Sequence, residues 1–125
     1  MDDLNLIKAS VKMQESAYAV YSNFKVGAAL LCSDGSVITG CNVENKSYGG
    51  TICAERNAFT KAVSEGQRNY EKIAISASTD KPVIPCGICL QFMSEFVSDD
   101  FILLCADGSG NYVKYTFREL LPIRF

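Results

Sequence analysis

Histidine is absent from this 125-residue chain. Its absence excludes Ser-His-Asp and Cys-His catalytic machinery and any metal site built on imidazole. Clustered positive charge is missing too. No two Lys or Arg are neighbours, and the net charge is −2. The chain offers no electrostatic footprint for nucleic acid, so a polynucleotide substrate is disfavoured. No apolar run approaches the ~18 residues that a membrane helix needs, and Met1-Asp2-Asp3 is not a basic leader. The expectation is no membrane span, no signal peptide and a cytoplasmic protein.

What is present is a globular composition, 48% hydrophobic and 21% charged. The length suits a single domain, residues 1–125, with a core of its own. The six cysteines, at 32, 41, 53, 86, 89 and 105, read as reduced thiols or metal ligands in a reducing compartment rather than as three disulfides.

Helical spacing of Leu4, Ile7 and Val11 predicts a helix over 3–20, capped by Asp2 or Asp3. An aromatic loop follows at 18–24. Strands are expected at 25–33 and 36–43 around an Asp34-Gly35 turn. Gly27, Ala28 and Ala29 are small for a strand, which implies a close neighbour. A helix is expected from Cys53 to Glu65, with Thr51 as candidate N-cap and Gly66 as its stop. A strand at 72–77, a helix at 86–97 behind Pro85, strands at 101–106 and 111–115 and a short tail helix near Pro122 complete the order. This α-β-β-α-β-α-β-β-α alternation gives an α/β fold with one mixed sheet flanked by helices, and its β-α-β-α-β middle requires parallel strands.

Three of the cysteines carry the chemistry. Cys86 and Cys89 form a Cys-x-x-Cys pair at a helix start, 33 positions after Cys53 begins another. Alone, the pair fits a redox dithiol as well as a metal site. With Cys53 it makes three zinc ligands with a fourth position open, the catalytic arrangement. A closed, non-catalytic zinc module would need Cys32, Cys41 or Cys105 as well; all three lie in strand-like segments and read as core. Three thiolates with Zn²⁺ carry net negative charge, which opposes ionising a bound water. Two helix N-termini, each worth roughly half a positive charge, and Arg56 one turn from Cys53 offset it. Arg56 can also donate to thiolate sulfur. Glu55 sits about 200° around the helix from Cys53. It is placed as a proton shuttle rather than as a fourth ligand.

Cys53-Ala54-Glu55-Arg56 followed by Pro85-Cys86-Gly87-Ile88-Cys89 resembles the zinc deaminase signature in its three-cysteine form. Tyr21 to Leu30, Asn42-Val43-Glu44-Asn45, Ser47-Tyr48-Gly49 and Leu120-Leu121-Pro122 to Phe125 are similar to the small homotetrameric cytidine deaminases of pyrimidine salvage. The resemblance implies a three-layer α-β-α fold around a mixed five-stranded sheet. It implies zinc on Cys53, Cys86 and Cys89, proton transfer by Glu55, and hydrolysis of cytidine and 2′-deoxycytidine. It implies that Phe24 packs on the pyrimidine, that Asn42 and Glu44 hold the ribose 3′-hydroxyl, and that Phe125 reaches a neighbouring subunit's site. Asn42 and Glu44, two apart at a strand end, make a sensible hydroxyl clamp on their own terms. The chain departs from the family's usual residues at Val20 (commonly Pro), Leu90 (commonly Arg), Gly50 and Ile123-Arg124. Another aminopyrimidine nucleoside, or a nucleoside antibiotic, is the alternative substrate.

Overall fold

A computed structural model describes residues 1–125. Five strands and four helices follow in the order α1 (Asp3–Met13), β1 (Val26–Cys32), β2 (Val37–Cys41), α2 (Ala54–Ser64), β3 (Tyr70–Ala77), α3 (Gly87–Met93), β4 (Ile102–Ala106), β5 (Tyr112–Thr116) and α4 (Phe117–Leu120). The sheet runs β2-β1-β3-β4-β5. Only β3 and β4 pair in parallel; every other neighbour is antiparallel. The parallel relation expected between β2 and β3 holds at one remove, because β1 lies antiparallel between them.

The layers follow from alternation along β1, all of whose residues are buried. Ala28 and Leu30 point into one core with Phe59, Ile73, Ile75, Met93 and Leu103. Ala29 and Leu31 point into the other with Leu6, Ile7 and Leu104. Helix α1 covers this second face and α2 with α3 covers the first. Both faces of the central strands are therefore apolar, which is why they read as continuous hydrophobic runs. No helix is long and apolar enough to cross a membrane.

The first helix is shorter than its periodicity suggests. Asp2 caps it by accepting from the Asn5 amide, as expected, but it ends at Met13. A 3₁₀ turn follows at Gln14–Ser16. Two long-range bonds end it: Gln14 Nε2 donates to Ser76 Oγ at 2.8 Å, and Tyr18 N donates to Asn42 O at 2.9 Å. Both hold the chain against the sheet, where a continuing helix would carry it away. The helix expected to reach residue 97 likewise ends at Met93.

Two glycines permit close approach. A Cβ on Gly27 would lie 1.9 Å from Ser10 O of α1, so the small residues of β1 do mark a tight neighbour. A Cβ on Gly40 would lie 2.6 Å from both Ala54 O and Ala58 N of α2. Asn57 Nδ2 ties the same helix to Cys41 O at 2.8 Å. Because α2 begins at the chemistry, Gly40 sets how deeply that chemistry sits on the sheet. Gly40→Ala is expected to destabilise the fold by about 1–3 kcal/mol through overpacking. Urea unfolding at fixed protein concentration measures it, and an unchanged midpoint would contradict the close packing.

Candidate active site

The N-terminal ends of α2 and α3 meet on the same face of the sheet. Cys53 is the residue that caps α2 and Cys86 the one that caps α3, each in extended conformation. Thr51, expected to cap α2, instead accepts from the Asn45 amide at 3.2 Å. The cap position turns the Cys53 side chain out of the helix toward the start of α3. The sulfurs of Cys53, Cys86 and Cys89 all lie within 4.8 Å of one another. Cys86 and Cys89 are 3.5 Å apart. Thiolates on one tetrahedral zinc stand about 3.8 Å apart, given Zn–S bonds near 2.3 Å. The cluster therefore fits such an ion. Cys32, Cys41 and Cys105 lie outside the cluster, so no fourth thiol closes it. Cys32 and Cys105 are core residues, as expected. Cys41 is only half-buried, because its strand lies at the sheet edge.

The electrostatics are those of an anion-holding corner. Cys53 is drawn down to about 5, first by the hydrogen bond from the Cys89 thiol and then by the Arg56 guanidinium. Cys89 is pushed up, by that same shared bond and by burial. Arg56 Nη2 donates to Cys53 Sγ at 3.5 Å and to Thr51 O at 3.4 Å. Its Nε is buried with no partner in the chain. Glu55 points into the interior, 4% exposed. Burial lifts its carboxyl to about 7, with the Cys53 charge adding to the rise.

A cavity of about 230 Å³ opens over this corner. It gathers Phe24, Asn42, Glu44, Cys53, Glu55 and Cys86 around one space. Asn42 is nearly buried, and its amide spans two backbones. Its Oδ1 accepts from Val26 N at 2.9 Å and its Nδ2 donates to Phe24 O at 2.8 Å. One lone pair and one N–H remain for a ligand. Asn42→Ala would strand the buried Val26 N–H, at a cost of about 1–3 kcal/mol. Thermal unfolding checks this, and a native-like transition would show that another donor or water replaces the amide. Glu44 is held by the 21–22 turn: Oε1 accepts from Tyr21 N at 2.9 Å and Ser22 N at 3.1 Å, and Oε2 accepts from the Ser22 hydroxyl. These bonds, the Ser22 hydroxyl first, keep it below the usual carboxylate range.

The chain matches the family described as "Cytidine and deoxycytidylate deaminase zinc-binding region" over residues 1–105. The chain belongs to this deaminase family. Among curated relatives, a cytidine deaminase of Halalkalibacterium halodurans is 50% identical over 125 residues, covering all of this chain and 95% of that one. A blasticidin-S deaminase of Bacillus cereus is 32% identical over 133 residues, covering 98% and 91%. The crystal structure of a Burkholderia pseudomallei cytidine deaminase superposes with a TM-score of 0.96, at 42% identity and full coverage of both chains. The three-layer fold with its mixed five-stranded sheet is thus that of the deaminase family.

Of the residues singled out in the sequence, the cavity unites all but three. Cys89 lies beneath it in the thiol cluster, and Arg56 stands behind Cys53. Phe125 is fully exposed and lines no cavity. Sequence reasoning missed Ser22, whose hydroxyl fixes Glu44 and accepts from Phe24 N at 3.0 Å. It also missed Val83 and Ile84, which form the wall above Cys86. Their signal was readable: two apolar residues between Pro82 and Pro85 cannot join a central strand, so they must cover something else.

Proposed function

We propose that this protein hydrolyses cytidine and 2′-deoxycytidine to uridine, or 2′-deoxyuridine, and ammonia. It does so as a zinc-bearing, cytoplasmic homotetramer serving pyrimidine salvage. The observation that carries the reading is a buried Glu55 carboxyl, lifted to about 7, in the same cavity as a three-thiol cluster.

Cys53, Cys86 and Cys89 would hold the zinc, and Arg56 with the two helix starts would balance the thiolate charge. Bound there, the ion supplies Lewis acidity that lets the attacking water give up its proton near neutral pH. Glu55 takes that proton and delivers it to N3 of the ring as C4 gains oxygen. It then takes the proton of the new C4 hydroxyl and gives it to the amine, so that the C4 carbonyl forms as the C4–N bond breaks. One water is consumed and one ammonia leaves. A carboxyl whose pKa lies near the working pH suits both directions of transfer. Phe24 offers its face to the pyrimidine. Asn42 donates its free N–H to a ribose hydroxyl and Glu44 accepts from one, through the capacity their internal bonds leave free. Since Glu44 stays ionised it can only accept, which a sugar hydroxyl satisfies and a carbonyl would not.

The test is zinc content and turnover on one purified sample, followed by the loss of cytidine absorbance in the ultraviolet. One zinc per chain with turnover of cytidine and deoxycytidine is expected. Zinc without turnover of either would move the reading to another aminopyrimidine nucleoside, for which the Bacillus cereus relative is the precedent.

A further inference from the structure

The turn at residues 21–24 is tied down from two directions. Glu44 holds its start, where Oε1 accepts from Tyr21 N and Ser22 N and Oε2 accepts from the Ser22 hydroxyl. Asn42 holds its end, where Nδ2 donates to Phe24 O at 2.8 Å. Both holders are themselves fixed, because Tyr18 N donates to Asn42 O at 2.9 Å and Glu44 N donates to Tyr18 O at 2.8 Å. Between them Asn23, with φ of 56°, reverses the chain. The reversal brings Phe24 N back to the Ser22 hydroxyl oxygen, to which it donates at 3.0 Å.

The Ser22 hydroxyl thus meets both halves of the turn. It donates to Glu44 and accepts from the Phe24 amide. A carboxylate has about four acceptor positions. On Glu44 both of those on Oε1 are taken and one on Oε2 is taken. The position left over is therefore on Oε2, beside the hydroxyl that orients it. The Phe24 ring is 39% exposed, so packing alone holds it weakly. Its backbone makes up for this. Ser22 binds the N–H and Asn42 the carbonyl, one on each side of the carbon that carries the ring.

Building on the deaminase reading, we propose that Ser22 is a positioning residue that couples sugar recognition to base recognition. Its hydroxyl turns the free lone pair of Glu44 toward the sugar 3′-hydroxyl. Through the same oxygen it holds the Phe24 ring against the pyrimidine. Ser22 does not line the substrate cavity itself and acts through these two neighbours. Such a supporting bond fixes the geometry of groups that do touch the ligand. Sugar and base contacts then strengthen one another, because one hydroxyl sets both.

The test uses full-length, zinc-loaded protein and two ligands that differ only at the 3′-hydroxyl, 2′-deoxycytidine and 2′,3′-dideoxycytidine. The first is read as KM and the second as an inhibition constant against cytidine turnover. Ser22→Ala should raise KM for 2′-deoxycytidine by about tenfold, with kcat falling by less, since a hydrogen bond to a charged group is lost. The dideoxy compound should weaken by only about threefold, the share of the neutral bond to Phe24. Ser22→Thr keeps the hydroxyl, at an exposed position with room for a methyl group, and should stay near the wild type. Ser22→Cys offers a weaker donor and should fall in between; it reads the same two constants if Ser22→Ala does not fold. A folded Ser22→Ala enzyme with wild-type KM would overturn the proposal. So would equal losses for the two ligands, which mark a merely structural role, or a Ser22→Thr enzyme no better than Ser22→Ala. Each of these leaves cytidine turnover by the wild type intact. A wild-type protein that turns over neither nucleoside would instead overturn the deaminase reading, and this proposal with it.

Discussion

Glu55→Gln is expected to retain zinc and fold while losing nearly all turnover, with kcat down by about 10⁴-fold, since one carboxyl serves as base and acid in successive transfers. That loss equals about 5 kcal/mol of barrier, at 1.36 kcal/mol per tenfold. Glutamine keeps the shape of the side chain, so Phe24, Asn42 and Glu44 should still bind nucleoside and KM should change far less than kcat. A stability measurement separates chemistry from folding. The Glu55 carboxyl rises from 4.5 to about 7 on burial. For an acid raised in this way, the neutral form is the one the fold tolerates. Its full stability is present below pH 4.5 and is lost as pH climbs through 7. In zinc-stripped protein, therefore, Glu55→Gln should gain on the wild type between pH 4.5 and 7. An inactive variant that is also more stable at neutral pH marks a group kept for function at the expense of the fold. Retained activity would remove Glu55 as the proton shuttle.

Cys86→Ala should lose the metal. Cys86 is the exposed member of the cluster, so its side chain contributes little packing. Zinc-stripped wild type and zinc-stripped Cys86→Ala should then unfold alike, within about 0.5 kcal/mol. With zinc supplied, only the wild type should rise, by several kcal/mol, since binding to the folded state alone adds directly to stability. Metal analysis after gel filtration with unfolding in matched buffers reads both quantities. A metal-replete, stable Cys86→Ala would take Cys86 out of the site. Equal rises in both proteins would place the stabilising ion elsewhere.

Much of this site was legible because its chemistry is local. Cys86 and Cys89 sit three apart at a helix start, and Cys53 and Glu55 two apart at another; the extended cap conformation of Cys53, rather than helical periodicity, lets both line one cavity. What was not legible is long-range. Gln14 meets Ser76 across 62 positions, and nothing near Gln14 announces that the helix must stop for it. Nor does local pattern show β1 slipping between β2 and β3, since either neighbour of β3 would have satisfied the alternation. Thr51 was the better N-cap on propensity. Cys53 took the position because the cap is where a side chain leaves the helix axis toward α3. Glu44 shows a third kind of limit. Its type and place suggested a hydroxyl clamp, but its hold on the 21–22 turn depends on Asn23, whose φ of 56° reverses the chain there.

Between Cys53 and Cys86 the chain runs away from the site along α2 and returns along β3. An insertion within α2 would rotate the helix, and one within β3 would move its side chains to the opposite face. The reversal at Gly66, exposed and with φ of +86°, lies about 16 Å from the chemistry, one helix length away. That bend is a hinge pin at the far end of a clasp. An affinity tag or fluorophore-bearing loop spliced in beside Gly66 would lengthen the path between two metal-binding thiols without altering their separation.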